Sequence, residues 1–139
     1  MAQKAFDDGF YDVSLNLLER FLKNYPDSAL IKDARLLTGE CYFHQNKLPQ
    51  ALKEFEELLN GSASATVKDA ILYWIAEVHF KGNNFEQAAD YYKKVIEAFP
   101  KSTYAPASYY SLGWSLFQQE NYAGSLNYFK IAVEKFPKE

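Results

Sequence analysis

Apolar residues recur at helical spacing along most of the chain. Val13, Leu17, Leu18 and Phe21 lie three or four residues apart, or adjacent on one face, which predicts an amphipathic helix over 10–24. Similar spacing predicts further helices, and no segment shows the two-residue alternation of a strand. The predicted helices span residues 1–8, 10–24, 29–44, 48–60, 66–81, 85–98, 103–119 and 122–135.

Short polar turns and aromatic–proline pairs separate the predicted helices. Tyr25-Pro26, Phe99-Pro100 and Phe136-Pro137 should each end a helix, because the residue before a proline is disfavoured in the helical region. Ser28 and Ser102 are predicted N-caps, since a serine oxygen can accept a hydrogen bond from the first helical turn. The predicted elements are therefore all helical and are joined by short connections.

One pattern recurs every 37 residues without gaps. Phe55, Tyr92 and Phe129 show it, because 92 − 55 = 37 and 129 − 92 = 37. The same spacing relates Gly39, Ala76 and Gly113, and also Ala51, Ala88 and Ser125. A fixed period in this range indicates a solenoid of stacked repeats. We expect one solenoid domain with a partial repeat at 1–26 and full repeats at 27–63, 64–100 and 101–137, and, since the chain opens inside a repeat, a fragment of a longer protein.

The repeats resemble the tetratricopeptide pattern W-x2-L-G-x2-Y, then A-x3-F, then P. The last repeat reads Tyr109-x2-Leu112-Gly113-x2-Leu116, then Ser125-x3-Phe129, then Pro137. The earlier repeats depart from the pattern by placing Arg35, Thr38 and His79 at usually apolar positions. The resemblance implies an all-α, right-handed superhelical solenoid of antiparallel helix pairs.

The period is longer than the family standard of about 34 residues. We expect the extra residues, around Ser102-Thr103-Tyr104, to lengthen the first helix of the repeat by about a turn. Residues 24–43 and 98–117 are similar to repeats of two bacterial cell-envelope families, the periplasmic coordinator of the Tol–Pal system and the outer-membrane β-barrel assembly lipoprotein. This resemblance implies protein partners and favours the bacterial periplasm or cell envelope over the cytoplasm.

First helices of successive repeats line a concave groove in this family, and the resemblance implies which residues face it. The predicted partner-binding positions are Asp33, Leu36, Glu40, Tyr73, Glu77, Tyr110, Trp114 and Phe117. A wide aromatic groove suits an extended peptide or a helix, and Tyr and Trp are frequent interface anchors. For Phe43, Phe80 and Phe117, packing between helices is the alternative role.

The predicted function is a protein-interaction scaffold that binds a peptide or a partner protein in this groove. One alternative is an architectural or self-associating segment of a larger bacterial envelope protein, forming a weak homo-oligomer through repeat ends that lack polar caps. Another is an accessory domain of an enzyme whose chemistry lies outside these residues.

Composition and residue spacing exclude other classes. The net charge of −3 argues against a nucleic-acid partner, and no apolar run approaches the roughly 18 residues that would insert into a membrane. Glu40 and Glu77 have no neighbours that suggest acid–base catalysis, and His44 and His79 have no second ligand at i+4. We therefore predict no enzyme activity, no cofactor and no metal site, and we expect the single Cys41 to be a buried core residue.

Overall fold

The computed structural model describes residues 1–61 and 66–137, and the regular structure of these ranges is entirely α-helical. The repeat boundary predicted between residues 63 and 64 lies outside the described residues. The helices are α1 (Ala2–Asp7), α2 (Tyr11–Asn24), α3 (Ile31–His44), α4 (Leu48–Asn60), α5 (Lys68–Lys81), α6 (Phe85–Ala98), α7 (Ala105–Gln118) and α8 (Tyr122–Lys135). As predicted, α2, α6 and α8 end directly before an aromatic–proline pair.

The helix starts repeat with the period of the sequence. Helices α2, α4, α6 and α8 begin at residues 11, 48, 85 and 122, and α3, α5 and α7 begin at residues 31, 68 and 105. Both series advance by 37 residues, because 48 − 11 = 37 and 68 − 31 = 37. Helices joined by a short connection pack as antiparallel neighbours, which is how α1 meets α2, α3 meets α4 and α7 meets α8.

The turns inside these helix pairs share one backbone conformation. Gly9, Asn46, Asn83 and Glu120 occupy equivalent positions and have φ values of 81°, 62°, 65° and 65°. After each helix, the N–H groups of this residue and of the next one donate hydrogen bonds to carbonyl groups of the last helical turn. These carbonyls have no acceptor role within the helix itself, so the turn supplies their partners. Glycine and asparagine adopt this left-handed conformation readily, whereas for Glu120 it costs about 1 kcal/mol.

We expect Glu120→Asn to raise the free energy of unfolding by about 0.5–1 kcal/mol, because asparagine tolerates the left-handed region. Urea unfolding followed by circular dichroism measures the change. Glu120→Ala is the matched control and should bring no gain, since alanine keeps the unfavourable Cβ contact and lacks the polar side chain. If Glu120→Asn has the same free energy of unfolding as the wild type, this account of the turn is wrong.

Two predictions about helix starts are wrong. Helix α3 begins at Ile31 and α7 begins at Ala105, so neither Ser28 nor Ser102 is an N-cap. Each serine hydroxyl accepts a hydrogen bond from the N–H two residues further on, that of Leu30 at 3.1 Å and of Tyr104 at 3.0 Å. These local bonds form a turn before the helix. The extra residues of the repeat therefore lengthen this turn and not the first helix. Helix α7 is 14 residues long, as are α6 and α8.

The chain forms two compact parts, an N-terminal half (residues 1–71) and a C-terminal half (residues 72–139). In the N-terminal half, Leu18, Leu37 and Cys41 belong to one buried cluster, and Cys41 is fully buried as predicted. In the C-terminal half, one buried cluster is formed by Ala76, Ala88, Ala89, Tyr92, Ile96, Tyr109, Leu112, Leu116 and Ala132.

A glycine in each half lets one helix lie close against the next. A Cβ added at Gly39 of α3 would lie 2.7 Å from Cζ of Phe55 on α4. A Cβ added at Gly113 of α7 would lie 2.7 Å from Cε1 of Phe129 on α8. Both distances are too short for a real Cβ, so the phenyl rings pack directly against the glycine backbone.

We expect Gly39→Ala to lower the free energy of unfolding by about 1–3 kcal/mol, because a methyl group must enter a filled core. Phe55 is fully buried and has no room to shift, whereas Phe129 is half-buried and can move outward. Gly113→Ala should therefore cost less than Gly39→Ala. Urea unfolding of the two variants tests the order, and a larger loss for Gly113→Ala would contradict it.

Candidate partner-binding surfaces

The predicted groove residues lie on three helices. Helix α3 provides Asp33, Leu36 and Glu40 in the N-terminal half. In the C-terminal half, α5 provides Tyr73 and Glu77, and α7 provides Tyr110, Trp114 and Phe117. The structure gives these eight side chains different surroundings, so they differ in what they offer to a partner.

Exposed aromatic rings lie where α7 ends and α8 begins. Trp114 is 49% exposed, Phe117 is 44% exposed and Tyr122 is 56% exposed. Phe117 contacts both of the others edge to face, with ring centroids 5.7 Å from Trp114 and 5.2 Å from Tyr122. We call these three residues the aromatic patch. Because these ring contacts hold the three side chains in place, the patch presents its apolar surface in one fixed arrangement.

The ring of Phe129 supports the patch from α8. Its centroid lies 5.3 Å from that of Trp114, with the two planes at 71°. The same phenyl ring packs against the backbone of Gly113. Gly113 therefore allows α8 to approach closely enough for Phe129 to position the indole. Such edge-to-face aromatic contacts are favourable beyond the area that they bury.

Tyr110 contributes less exposed surface than its neighbours on α7. It is half-buried and packs against the core of the C-terminal half. Helix α7 has no charged residue over its whole length. The surface around Tyr110 and the aromatic patch is therefore neutral on this helix, and shape and apolar area decide what it can bind.

Glu77 is engaged inside the C-terminal half. The hydroxyl of the fully buried Tyr92 donates to Glu77 Oε1 at 2.6 Å, and the ring of Tyr73 lies 6.1 Å from that of Tyr92. Burial, followed by the charge of Glu77, raises the pKa of both tyrosines well above the usual value. The ring of Tyr73 in turn stacks on Tyr104 at 4.9 Å. Sequence reasoning missed this contact, although a tyrosine at 92 where the other two full repeats have phenylalanine was a signal for it.

Glu40 occupies the equivalent position in the N-terminal half without those partners. Leu36, which is buried, and Phe55 stand where Tyr73 and Tyr92 stand 37 residues later. Neither offers a hydroxyl, and among the described residues no hydrogen bond or ion pair reaches the Glu40 carboxylate. Burial in this apolar surrounding raises the pKa of Glu40 from 4.5 to about 7.

The protein should lose stability as the pH rises from about 4.5 through about 7, because the folded state favours the neutral form of Glu40. Glu40→Gln should remove this loss, so its free energy of unfolding exceeds that of wild type increasingly across the same pH interval. Urea unfolding on both sides of the interval measures the difference. Glu56→Gln, an exposed position on α4, is the matched control, and a pH-independent difference for Glu40→Gln would contradict the assignment.

A cavity of about 580 Å³ opens in the N-terminal half between the start of α1, α2 and α3. Its wall is mostly apolar and includes Leu17, Phe21 and Leu37, with Arg20 and Asp33 among its polar members. Asp33 is thus the one predicted groove residue of α3 that is exposed and lines a cavity. The sequence alone did not predict this cavity, because three separate helices form it.

The described ranges hold neither a membrane-spanning helix nor a metal-binding cluster. No described helix has both the length and the apolar character needed to cross a membrane. Among residues 1–61 and 66–137, no three His, Cys, Asp or Glu side chains are grouped so as to hold a metal ion. His44 is exposed and stacks on Tyr11 at 5.3 Å, and His79 is half-buried and stacks on Tyr91 at 5.7 Å.

Comparison with known families accounts for nearly the whole chain. Two family models, both described as tetratricopeptide repeat, match residues 1–66 and residues 70–102 and 107–139. The chain belongs to the tetratricopeptide repeat family. The predicted family and the predicted all-α solenoid class are thereby confirmed. No curated protein matches the sequence.

Solved tetratricopeptide structures share this fold at low sequence identity. MamA from Desulfovibrio magneticus RS-1 has a TM-score of 0.80 at 17% identity, over 99% of this chain and 73% of that one. A second MamA structure has a TM-score of 0.77 at 22% identity, over 99% and 70%. A tetratricopeptide repeat protein from Parabacteroides merdae has a TM-score of 0.78 at 20% identity, over 99% and 52%.

Membership of the tetratricopeptide family establishes the general role of the chain. Its repeats are those of a protein–protein interaction scaffold, and tetratricopeptide domains bind protein partners. The family is one of scaffolds and not of enzymes.

Proposed function

We propose that this tetratricopeptide protein docks a partner protein or peptide on the aromatic patch, with Tyr110 at its edge. The observation that supports this most is the exposure of Trp114 and Phe117, at 49% and 44%, on a helix whose other large apolar side chains are buried or half-buried. Large aromatic side chains at a partly exposed, well-supported site are frequent binding hot spots. No nucleic-acid or membrane partner is proposed.

The neutral character of α7 indicates the chemistry of the partner. A segment that buries Trp114 and Phe117 meets no charge on this helix, so its contact residues should be apolar or aromatic. An amphipathic helix or an extended peptide with apolar anchors satisfies this requirement. Tyr73 and Glu77 then act as supports, since Glu77 accepts a hydrogen bond from Tyr92 and the ring of Tyr73 packs against that of Tyr92.

Leu36, Glu40 and Asp33 have secondary roles in this proposal. Leu36 is buried and contributes to packing in the N-terminal half. Glu40 is half-buried, and because its pKa is raised, losing its proton to become a charged acceptor costs free energy. Asp33 is exposed, so it is the acid of α3 that is most accessible to a partner.

We expect Trp114→Ala/Phe117→Ala to reduce partner capture at least tenfold, because hot-spot truncations cost about 2 kcal/mol or more each. The matched control is Leu126→Ala/Val133→Ala, which removes two equally exposed apolar side chains of α8. Affinity capture from a bacterial envelope extract, quantified by mass spectrometry, measures the loss. Circular dichroism confirms that both double variants are folded.

Unchanged capture by Trp114→Ala/Phe117→Ala would reject the aromatic patch as the docking site. Loss of capture by Leu126→Ala/Val133→Ala alone would instead support the alternative, an architectural or self-associating segment of a larger envelope protein. Exposed apolar residues on α8 favour that alternative. Leu126 and Val133 are 55% and 58% exposed, whereas Ala89 and Ile96, 37 residues earlier on α6, are buried.

Sedimentation of the same variants separates the two proposals. Self-association through α8 predicts a concentration-dependent oligomer that Leu126→Ala/Val133→Ala weakens, whereas docking on the aromatic patch predicts no such dependence on α8. The bacterial cell envelope is the location that we propose, on the resemblance of residues 24–43 and 98–117 to envelope repeats. Fractionation of cells that express the protein from its own gene tests the location.

A further inference from the structure

The carboxylate of Glu77 can accept more hydrogen bonds than the protein gives it. One oxygen accepts from the hydroxyl of Tyr92, and no lysine or arginine of the described residues forms an ion pair with this side chain. An ionised carboxylate offers about four acceptor sites on its two oxygens. Glu77 is half-buried, so part of its side chain meets solvent. It is therefore an acid that no cation of the described residues neutralises.

An aromatic ring lies beside this carboxylate. Tyr73 precedes Glu77 by about one turn of α5, at the i, i+4 spacing that brings two side chains together. After burial, the charge of Glu77 is the next largest cause of the raised pKa of Tyr73, in agreement with this closeness. The ring of Tyr73 is half-buried and is held by stacking on Tyr104, with centroids 4.9 Å apart. An acid beside a fixed ring suits a flat cation.

Only one of the three full repeats combines a tyrosine and an acid at these two positions. In the preceding repeat Leu36 precedes Glu40, so the acid has no aromatic ring one turn before it. In the following repeat Tyr110 precedes Trp114, so the ring has no acid one turn after it. A cation that needs both groups would therefore bind at the middle repeat and not at its neighbours.

We propose that Glu77 binds an arginine side chain of the partner protein, with the guanidinium packed against the ring of Tyr73. A guanidinium is planar and can donate to a carboxylate while its face stacks on an aromatic ring, which a lysine ammonium does less well. Charge-assisted hydrogen bonds of this kind are stronger than neutral ones. The proposal rests on the proposed scaffold function, because a partner protein supplies the arginine. Glu77 lies on α5, so this arginine falls outside the apolar segment that covers α7.

The probe is the peptide acetyl-ALRLA-amide, added to the 139-residue protein with ¹³C-labelled tyrosine rings. Its counterpart carries citrulline, the neutral isostere of arginine, at the central position. We expect saturable NMR shifts at Tyr73 and Tyr104, and about tenfold weaker binding of the citrulline peptide, because it lacks the charge that strengthens the hydrogen bonds.

Glu77→Gln should abolish the preference for the arginine peptide without unfolding the protein. Glutamine keeps an oxygen that can accept from Tyr92, so this variant removes the charge and retains the internal hydrogen bond. The matched control is Glu86→Gln, which removes the same charge at an exposed position of α6 and should keep the preference. Circular dichroism confirms that both variants are folded.

Substitutions at the ring test the second part of the site. Tyr73→Leu, which installs the residue of the preceding repeat, should weaken binding of the arginine peptide about threefold, because the cation–π contact is lost. Tyr73→Phe keeps the ring and should retain the affinity.

Three results would overturn the proposal: equal binding of the two peptides to the wild type, a preference that persists in Glu77→Gln, or no saturable shift. Trp114→Ala/Phe117→Ala should keep the arginine preference, since both residues lie on α7. The arginine site and docking on the aromatic patch can therefore fail separately. Unchanged partner capture by that double variant rejects the patch alone, and a missing arginine preference rejects the Glu77 site alone.

Discussion

Direct contact between a phenyl ring and a glycine backbone sets the distance between paired helices, and other features of each half depend on it. Phe55 against Gly39 and Phe129 against Gly113 leave no space for a Cβ. Helices that approach this closely must exclude larger side chains from the contact line. In the C-terminal half the same close approach brings Phe129 under Trp114, so a packing constraint also determines which ring faces solvent.

Repetition of the backbone does not imply repetition of the chemistry. The left-handed turns at residues 9, 46, 83 and 120 have nearly the same φ, and the helix starts keep a 37-residue spacing. Yet Phe55 and Tyr92, which occupy one repeated position, differ by a hydroxyl group. Tyr92 therefore donates a hydrogen bond to Glu77, whereas Phe55 can donate none to Glu40. Burial raises the pKa of Glu40 to about 7, whereas Glu77 accepts a hydrogen bond from the buried Tyr92. The repeats thus share one backbone arrangement but carry different functional side chains.

The sequence predicted those features that local rules control. Proline fixes the backbone of the residue before it, so the ends of α2, α6 and α8 were predictable, and the period revealed the family. The starts of α3 and α7 were not, because Ser28 and Ser102 can bond either a helical turn or a preceding turn, and packing decides between them. The bond between Tyr92 and Glu77 and the cavity between α2 and α3 depend on contacts between separate helices. A period predicts where helices lie but not which side chains remain uncovered.

The aromatic patch exposes rings at the junction of α7 and α8, on a helix without charge. Trp114 stands 37 residues after Glu77, which accepts a hydrogen bond from the buried Tyr92. A position that supports the core in one repeat therefore presents apolar surface in the next. Burying an unpaired charge costs far more than losing an apolar contact, so a partner segment that docks on the patch should place apolar residues over α7 and keep its charged residues in solvent.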